Sequence, residues 1–213
     1  MSYQSVYIAR HGLTEANIAK YVQDAFDPLA EQGHLQAERL AERASNLSFK
    51  HLLASDMVRA KQTADCISKR TGHDIVTVPL LREVMRPTSL HGLARESAEY
   101  QAFLALDIKE QGNEQFRFED GENFFDLRNR ALAALEQFAS YGADPVLAVS
   151  HGLFLKYVAA TVITAGKLTP DVWSPMVQSL IMHNTGITVL HRDTETNQWF
   201  LVSWNDHAHF ADD

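Results

Sequence analysis

The chain has 213 residues, a length typical of one domain or of one domain that carries a modest insertion. Hydrophobic residues make up 46% and charged residues 22%, as in ordinary globular proteins with a sizeable core. A formal net charge of -8 and the lack of any Lys/Arg run argue against nucleic acids and anionic membranes as partners. An anionic ligand therefore requires a local positive pocket.

Cys66 is the single cysteine, which excludes an intramolecular disulfide and a thiolate metal cluster. No stretch approaches the roughly 20 apolar residues that a membrane span needs. The short apolar run that ends at Ala9 is also too short for a signal-peptide core. These features predict a cytoplasmic protein without a membrane partner.

Buried strands and amphipathic helices alternate in the first eighty residues. Short apolar runs predict strands over residues 5–9, 51–54 and 75–80. Apolar residues at helical spacing predict helices over 34–47 and 56–70. Gly72 follows the second helix and is its predicted C-cap.

The periodic pattern weakens over residues 84–121, which mix Pro, Gly, charged and aromatic residues. We expect an insertion there, with short helical pieces at most. A helix over 125–141, a strand over 145–149 and a helix from His151 onward follow. Closing strands are predicted over 180–182, 187–190 and 199–204. This order predicts an α/β fold, a three-layer α/β/α sandwich with a mostly parallel central sheet, in a single domain over 1–213.

Charged and imidazole side chains follow four of the predicted strands. Arg10 and His11 follow the first strand, and Arg59 lies one helical turn beyond the end of the second. Glu83 follows the third strand and His151 a later one. Because ligand sites in open α/β sheets lie beyond the carboxyl ends of the strands, these five side chains are expected to converge.

Together these residue types suit the transfer of a phosphoryl group. Guanidinium forks such as those of Arg10 and Arg59 bind phosphate oxygens and stay charged. A neutral imidazole is a competent nucleophile at pH 7, which favours His11 as the nucleophile and His151 as a hydrogen-bonding partner of the transferring group. Glu83 is the candidate general acid for the leaving oxygen and the general base for the hydrolytic water.

The sequence resembles the histidine phosphatase superfamily, also called phosphoglycerate mutase-like, over most of its length, from Val6 to about Leu190. Four blocks carry the resemblance: Arg10-His11-Gly12, Ser55 to Ala64, Leu81-Arg82-Glu83 and Ser150-His151-Gly152. The resemblance implies a phosphorylated His11 and a chemistry that needs neither metal nor cofactor. It also implies that Asn17 adds a hydrogen bond to the phosphoryl group.

The residues around Glu83 are locally basic in an acidic protein. One hypothesis is that Arg86 or Arg95 contacts a second anionic group of the substrate. The alternative is a solvated face in which these arginines pair with Glu96 and Glu99. The expected substrate is a small phosphorylated metabolite of unspecified identity.

A phosphomonoester hydrolase is favoured over a phosphoglycerate mutase. Mutases of the family carry Trp-Asn after the first block, whereas Ala16 precedes Asn17 in this chain. The run 84–92 also differs from the Gly-rich, Tyr-containing segment of the mutases. A weakly catalytic module that binds phosphorylated ligands is a third interpretation, and the oligomeric state stays open, with a homodimer among the forms allowed.

Overall fold

The computed structural model describes residues 2–210, whose centre is a six-stranded sheet of order β3-β2-β4-β1-β5-β6. The strands are β1 (Tyr3–Arg10), β2 (His51–Ala54), β3 (Ile75–Thr77), β4 (Val146–Ser150), β5 (Ile187–Asp193) and β6 (Trp199–Asp206). Parallel pairing joins β3 to β2, β2 to β4 and β4 to β1, whereas β5 and β6 pair antiparallel. The predicted mostly parallel sheet is thereby confirmed.

Helices cover both faces of this sheet. They are α1 (Glu15–Ile18), α2 (Glu31–Ala44), α3 (Val58–Thr71), α4 (Ala98–Glu110), α5 (Phe124–Ala139), α6 (Gly152–Ile163) and α7 (Pro170–Ser179). Successive side chains of β4 lie on opposite faces of the sheet, as the two-residue period of a strand requires. Val146 and Ala148 join the apolar cluster under α5 and α6, whereas Leu147 and Val149 join the cluster under α2 and α3. The result is the predicted three-layer sandwich.

Several element boundaries agree with the sequence patterns. The strand over 51–54 is confirmed residue for residue. Gly72 is the C-cap of α3 and has a φ of 76°, a left-handed conformation that glycine adopts without a steric penalty. Asn123 begins α5 through a capping box with Asp126.

Other predicted elements are wrong. The third strand ends at Thr77, because Pro79 has no backbone N–H to donate to the sheet and starts a 3₁₀ turn over Pro79–Leu81. Residues 180–182 form no strand, and α7, which precedes them, is absent from the sequence interpretation.

The segment 84–121 contains the 13-residue helix α4, which is longer than the short pieces expected. The segment has a small apolar cluster of its own, in which Leu90, Tyr100 and Phe103 pack on Val22 of the loop after α1. None of the helices over residues 2–210 combines the length and the apolar character needed to cross a bilayer.

Candidate active site

Neighbouring parallel strands bring two histidines together at the carboxyl edge of the sheet. Arg10 at the end of β1 pairs with Ser150 at the end of β4, and the backbone N–H of His11 donates to the Ser150 carbonyl at 3.0 Å. His11 and His151 are therefore the first residues beyond two adjacent strands. Their ring centroids lie 5.0 Å apart, and each side chain is at most 1% exposed.

The hydrogen bond of His11 defines its tautomer. Nδ1 lies 2.6 Å from the carbonyl oxygen of Gly12, which can only accept, so the proton is on Nδ1 and the lone pair is on Nε2. Burial, followed by the charges of Arg59 and Arg10, lowers the pKa of His11 well below its ordinary value. His11 is therefore a neutral imidazole at pH 7 with an unprotonated Nε2.

The glycine after His11 allows this loop to lie against the start of α2. A Cβ on Gly12 would stand 2.4 Å from the carbonyl oxygen of Gly33, a distance that no relaxed structure tolerates. The Gly12 N–H also donates to Thr63 Oγ1 at 3.1 Å, which ties the loop to α3. The backbone around His11 is thus fixed by two helices.

Two arginines complete the positive cluster. Arg59, on the first turn of α3, is 1% exposed and donates from Nη1 to the Asp24 carbonyl at 2.6 Å. Arg10 donates from Nη1 to the Met182 carbonyl at 2.7 Å. Burial lowers the pKa of Arg10 to about 10, the charges of Arg95 and Arg59 act in the same direction, and that of Glu83 opposes them. Arg10 therefore keeps its charge at pH 7.

Ser55 orients the second histidine. Ser55 Oγ lies 2.9 Å from Nε2 of His151 and accepts the N–H of Met57 at 3.3 Å. A Ser55 hydroxyl that donates its proton to Nε2 leaves the proton of the neutral His151 ring on Nδ1, where it can be donated to a ligand. Burial, followed by the charges of Arg59 and Arg10, lowers the pKa of His151 well below its ordinary value.

Three buried nitrogens of this cluster make no hydrogen bond with any atom of residues 2–210. They are Nε of Arg10, Nε of Arg59 and Nδ1 of His151, half of the six such side-chain atoms found over residues 2–210. Buried donors are normally satisfied, and those that are not call for a specific explanation. Three unsatisfied donors around one imidazole are what an anion-binding cradle provides.

Glu83 lies beside this cluster at the N-terminus of α6. Its Oε1 accepts the N–H groups of Val84 and Phe154, each at 2.9 Å, and its Oε2 accepts that of Leu153 at 3.2 Å. The carboxylate thus caps two of the first N–H groups of the helix that His151 precedes. This contact joins Glu83, which follows β3, to the helix that follows β4.

A cavity of about 290 Å³ opens above the cluster. Arg10, Glu83, Asn17 and Arg86 line it, so the structure brings these four predicted site residues to one cavity. Arg59 lies at an adjoining cavity of about 140 Å³ that Glu83 and Arg86 also line. His11 and His151 lie below, in the protein interior.

Asn17 has local partners as well as a place on the cavity wall. It is the third residue of a capping box with Thr14 and donates from Nδ2 to Gln23 at 3.3 Å. Asn184 donates to Asn17 Oδ1 at 3.4 Å and to the His11 carbonyl at 3.0 Å. Asn184 thus connects the His11 loop with α1, a role that the sequence analysis missed.

The alternative partners expected for the basic segment are wrong. Arg86 Nη1 lies 3.6 Å from Asp107 Oδ2, and Glu96 pairs with Lys20 at 3.5 Å. Lys156, which lines the cavity one turn into α6, was also missed. Its signal in the sequence was the spacing of four residues from Gly152, which places both on one helix face. Over residues 2–210, no three His, Cys, Asp or Glu side chains converge as metal ligands would.

Solved structures and sequence relatives agree with this architecture. A mycobacterial glucosyl-3-phosphoglycerate phosphatase superposes with a TM-score of 0.77 at 25% identity, over 96% of this chain and 99% of that one. A probable phosphoglycerate mutase GpmB of Enterobacter sp. (strain 638) is 36% identical over 74% of either chain. The probable phosphoglycerate mutase GpmB of Salmonella arizonae is 31% identical over 93% of this chain and 89% of its own.

The fold and the clustered residues define a class of α/β proteins with a histidine at the carboxyl edge of the sheet. The sequence model of the histidine phosphatase superfamily (branch 1) matches residues 6–207. The chain belongs to the histidine phosphatase superfamily, as the resemblance in its four blocks implies.

Proposed function

We propose that the protein is a metal-independent phosphomonoester hydrolase that acts through a phosphohistidine on His11. The observation that carries the proposal is the set of three unsatisfied buried nitrogens, from Arg10, Arg59 and His151, around an imidazole held neutral. A phosphoryl group in that position would receive hydrogen bonds from all three residues, two of them charged.

In the first step, Nε2 of His11 attacks the phosphorus while the bond to the ester oxygen breaks. Glu83 in its acid form gives a proton to that oxygen, and the alcohol leaves. Arg10, Arg59 and His151 stabilise the charge on the transferring oxygens, and Asn17 adds a hydrogen bond. The backbone contact between Nδ1 of His11 and Gly12 keeps the nucleophilic nitrogen oriented.

In the second step, a water molecule attacks the phosphohistidine. Glu83, now a carboxylate, takes a proton from this water, the bond between phosphorus and Nε2 breaks, and inorganic phosphate is released. Its position at the same cavity as Arg10 supports both roles of Glu83. The neutral imidazole is regenerated for the next substrate.

Mutase-type transfer is the second candidate, because the relatives with 36% and 31% identity bear the name probable phosphoglycerate mutase. Ala16 in front of Asn17 and the composition of the run 84–92 favour hydrolysis over transfer back to the substrate. The neutral imidazole of His11, the three unsatisfied nitrogens beside it and the position of Glu83 on the cavity wall support catalysis over a binding module.

Turnover of 4-nitrophenyl phosphate with EDTA present tests the proposal. We expect steady hydrolysis and an acid-labile phosphoryl label on His11 of the quenched wild type. His11→Ala should lose the label and at least about a thousandfold in kcat, because the nucleophile is removed.

His34→Ala, a change of an exposed histidine on α2, is the matched control and should keep wild-type turnover. A label on any other residue would contradict the proposal. Isomerisation of 3-phosphoglycerate without net phosphate release would establish the mutase instead.

A further inference from the structure

The cavity above the cluster is strongly positive although the whole protein has a formal charge of -8. Four cationic side chains line it: Arg10, Arg86, Arg95 and Lys156. Among the residues that the structure describes, 2–210, Glu83 is the only carboxylate on its wall. Arg10 belongs to the cradle for the transferring phosphoryl group, so three further cations are available to the rest of a substrate.

Arg86 is the weakest of these three as a ligand for an anion. Its guanidinium lies 3.6 Å from Asp107 and 5.3 Å from the centroid of the Phe103 ring. Both partners of the ion pair are partly shielded, with side chains 18% and 34% exposed. The charge of Arg86 is therefore already compensated by a carboxylate.

Lys156 forms no ion pair with a carboxylate of residues 2–210, although the charge of Glu83 acts on it. Its Nζ donates to the Val177 carbonyl of α7 at 2.8 Å, which leaves two N–H donors of the ammonium group. Half-burial, followed by the charge of Arg10, lowers the pKa of Lys156, and the charge of Glu83 opposes them. An ammonium group in this environment gains from the approach of an anion.

Arg95 is the second uncompensated cation. It donates from Nε to the Tyr21 carbonyl at 3.3 Å and keeps its terminal N–H groups for other partners. Arg95 lines the same cavity as Arg10, and its charge contributes to the lowered pKa of Arg10. Within the described part of the chain, no carboxylate forms an ion pair with Arg95 or Lys156.

We propose that Lys156 and Arg95 form a second anion subsite, which selects phosphomonoesters that carry a further carboxylate or phosphate group on a short carbon chain. This proposal rests on the proposed function, since the phosphoryl group must occupy the cradle of Arg10, Arg59 and His151. The volume of about 290 Å³ is at the low end for ligand pockets, which favours a small substrate.

The test compares substrates that differ only in the second group. 3-Phosphoglycerate and glycerol 3-phosphate share the phosphoryl end and differ by a carboxylate against a hydroxymethyl group. Propane-1,3-diol bisphosphate against propyl phosphate is the corresponding pair for a second phosphate. In at least one of the two pairs, we expect the substrate with the second anionic group to have a kcat/KM at least about tenfold higher than that of its partner. This is the effect of one charge-assisted hydrogen bond.

Lys156→Met and Arg95→Gln should each reduce that ratio about tenfold, mainly through KM, because the lost contact exists before and during the reaction. Lys156→Arg should restore most of the ratio. Lys167→Met, which removes an exposed lysine beyond the end of α6, is the matched control and should leave the ratio as in the wild type.

A wild-type ratio near one in both pairs, with 4-nitrophenyl phosphate still hydrolysed, would overturn the subsite and leave the phosphatase intact. A high ratio that survives both substitutions would overturn the assignment to these residues. An enzyme that hydrolyses no phosphomonoester would overturn the proposed function and the subsite together.

Discussion

Gly152 determines how closely the guanidinium of Arg10 approaches the start of α6. A Cβ at this position would lie 3.1 Å from Nε and 3.3 Å from Cδ and Cζ of Arg10. These distances are slightly too short, so the arginine would have to move by a few tenths of an ångström. Gly152, the first residue of α6, thus helps to define the geometry of the proposed phosphoryl cradle.

Gly152→Ala should therefore reduce activity without reducing stability. We expect kcat/KM for 4-nitrophenyl phosphate to fall about tenfold, since small displacements of positioning groups are costly to catalysis. The thermal midpoint should stay the same or rise, because alanine favours the helix by up to about 1 kcal/mol relative to glycine. Steady-state kinetics and thermal melting of the same preparation measure both effects.

Gly112→Ala is the matched control, because an added Cβ there meets no atom within 4 Å. It should leave kcat/KM unchanged. Equal losses of activity in the two variants would contradict the role assigned to Gly152.

Arg130 on α5 connects that helix with the segment that carries Glu83. It forms an ion pair with Glu122 at 2.7 Å and donates to the carbonyls of Leu80, Arg82 and Glu83 at 3.0, 2.7 and 3.3 Å. The guanidinium also lies 4.1 Å from the centroid of the Phe154 ring on α6. One side chain thus holds the backbone of Glu83 between two helices.

Arg130→Leu should destabilise the protein by about 3–5 kcal/mol, because it leaves the largely buried Glu122 carboxylate without its cationic partner and three carbonyls without their donor. Urea unfolding measures this change. Arg128→Leu on the same helix should cost at most about 0.5 kcal/mol, since the Arg128 guanidinium hydrogen-bonds its neighbour Asn129 and lies 5.3 Å from the centroid of the Phe125 ring, with no ion pair over residues 2–210. Similar losses in the two variants would rule out the bridging role.

Elements whose apolar pattern matches their burial are predictable from the sequence, and those whose pattern does not match are missed. The helix α4 buries only Tyr100 and Phe103, while Ile108 is 67% exposed, so its apolar residues form no single stripe. In α7, the internal Pro175 argues against a helix, although the structure accommodates it. Tertiary packing overrides the local signal in both cases.

The residues of the candidate site also divide into those that the sequence predicts and those that it does not. Arg10, His11 and His151 are predictable because strand ends define their place in any parallel sheet. The contacts of Asn184 and Lys156 depend instead on how the chain after α6 returns to the sheet. No local pattern in the sequence encodes that return, so the role of Asn184 emerges only from the folded structure, whereas the place of Lys156 on α6 follows from its spacing of four residues from Gly152.

At the scale of the whole molecule, two buried neutral histidines link stability to pH. In the folded protein the pKa values of His11 and His151 lie well below 6.5, chiefly through burial, whereas in the unfolded chain both rings titrate near 6.5. Between these pKa values the unfolded state binds more protons. The free energy of unfolding must therefore fall as the pH drops below about 6.5.

Each histidine contributes a slope of up to about 1.4 kcal/mol per pH unit in this window and nothing above about pH 7.5. Urea unfolding at pH 7.5, 6.5 and 5.5 should show the decline. His11→Ala should reduce this slope by up to about 1.4 kcal/mol per pH unit, because one of the two buried histidine rings is gone. His34→Ala, which removes an exposed histidine of α2, is the control variant. An unchanged slope in His11→Ala would mean that His11 carries its proton in the folded protein, which a nucleophilic imidazole at neutral pH does not.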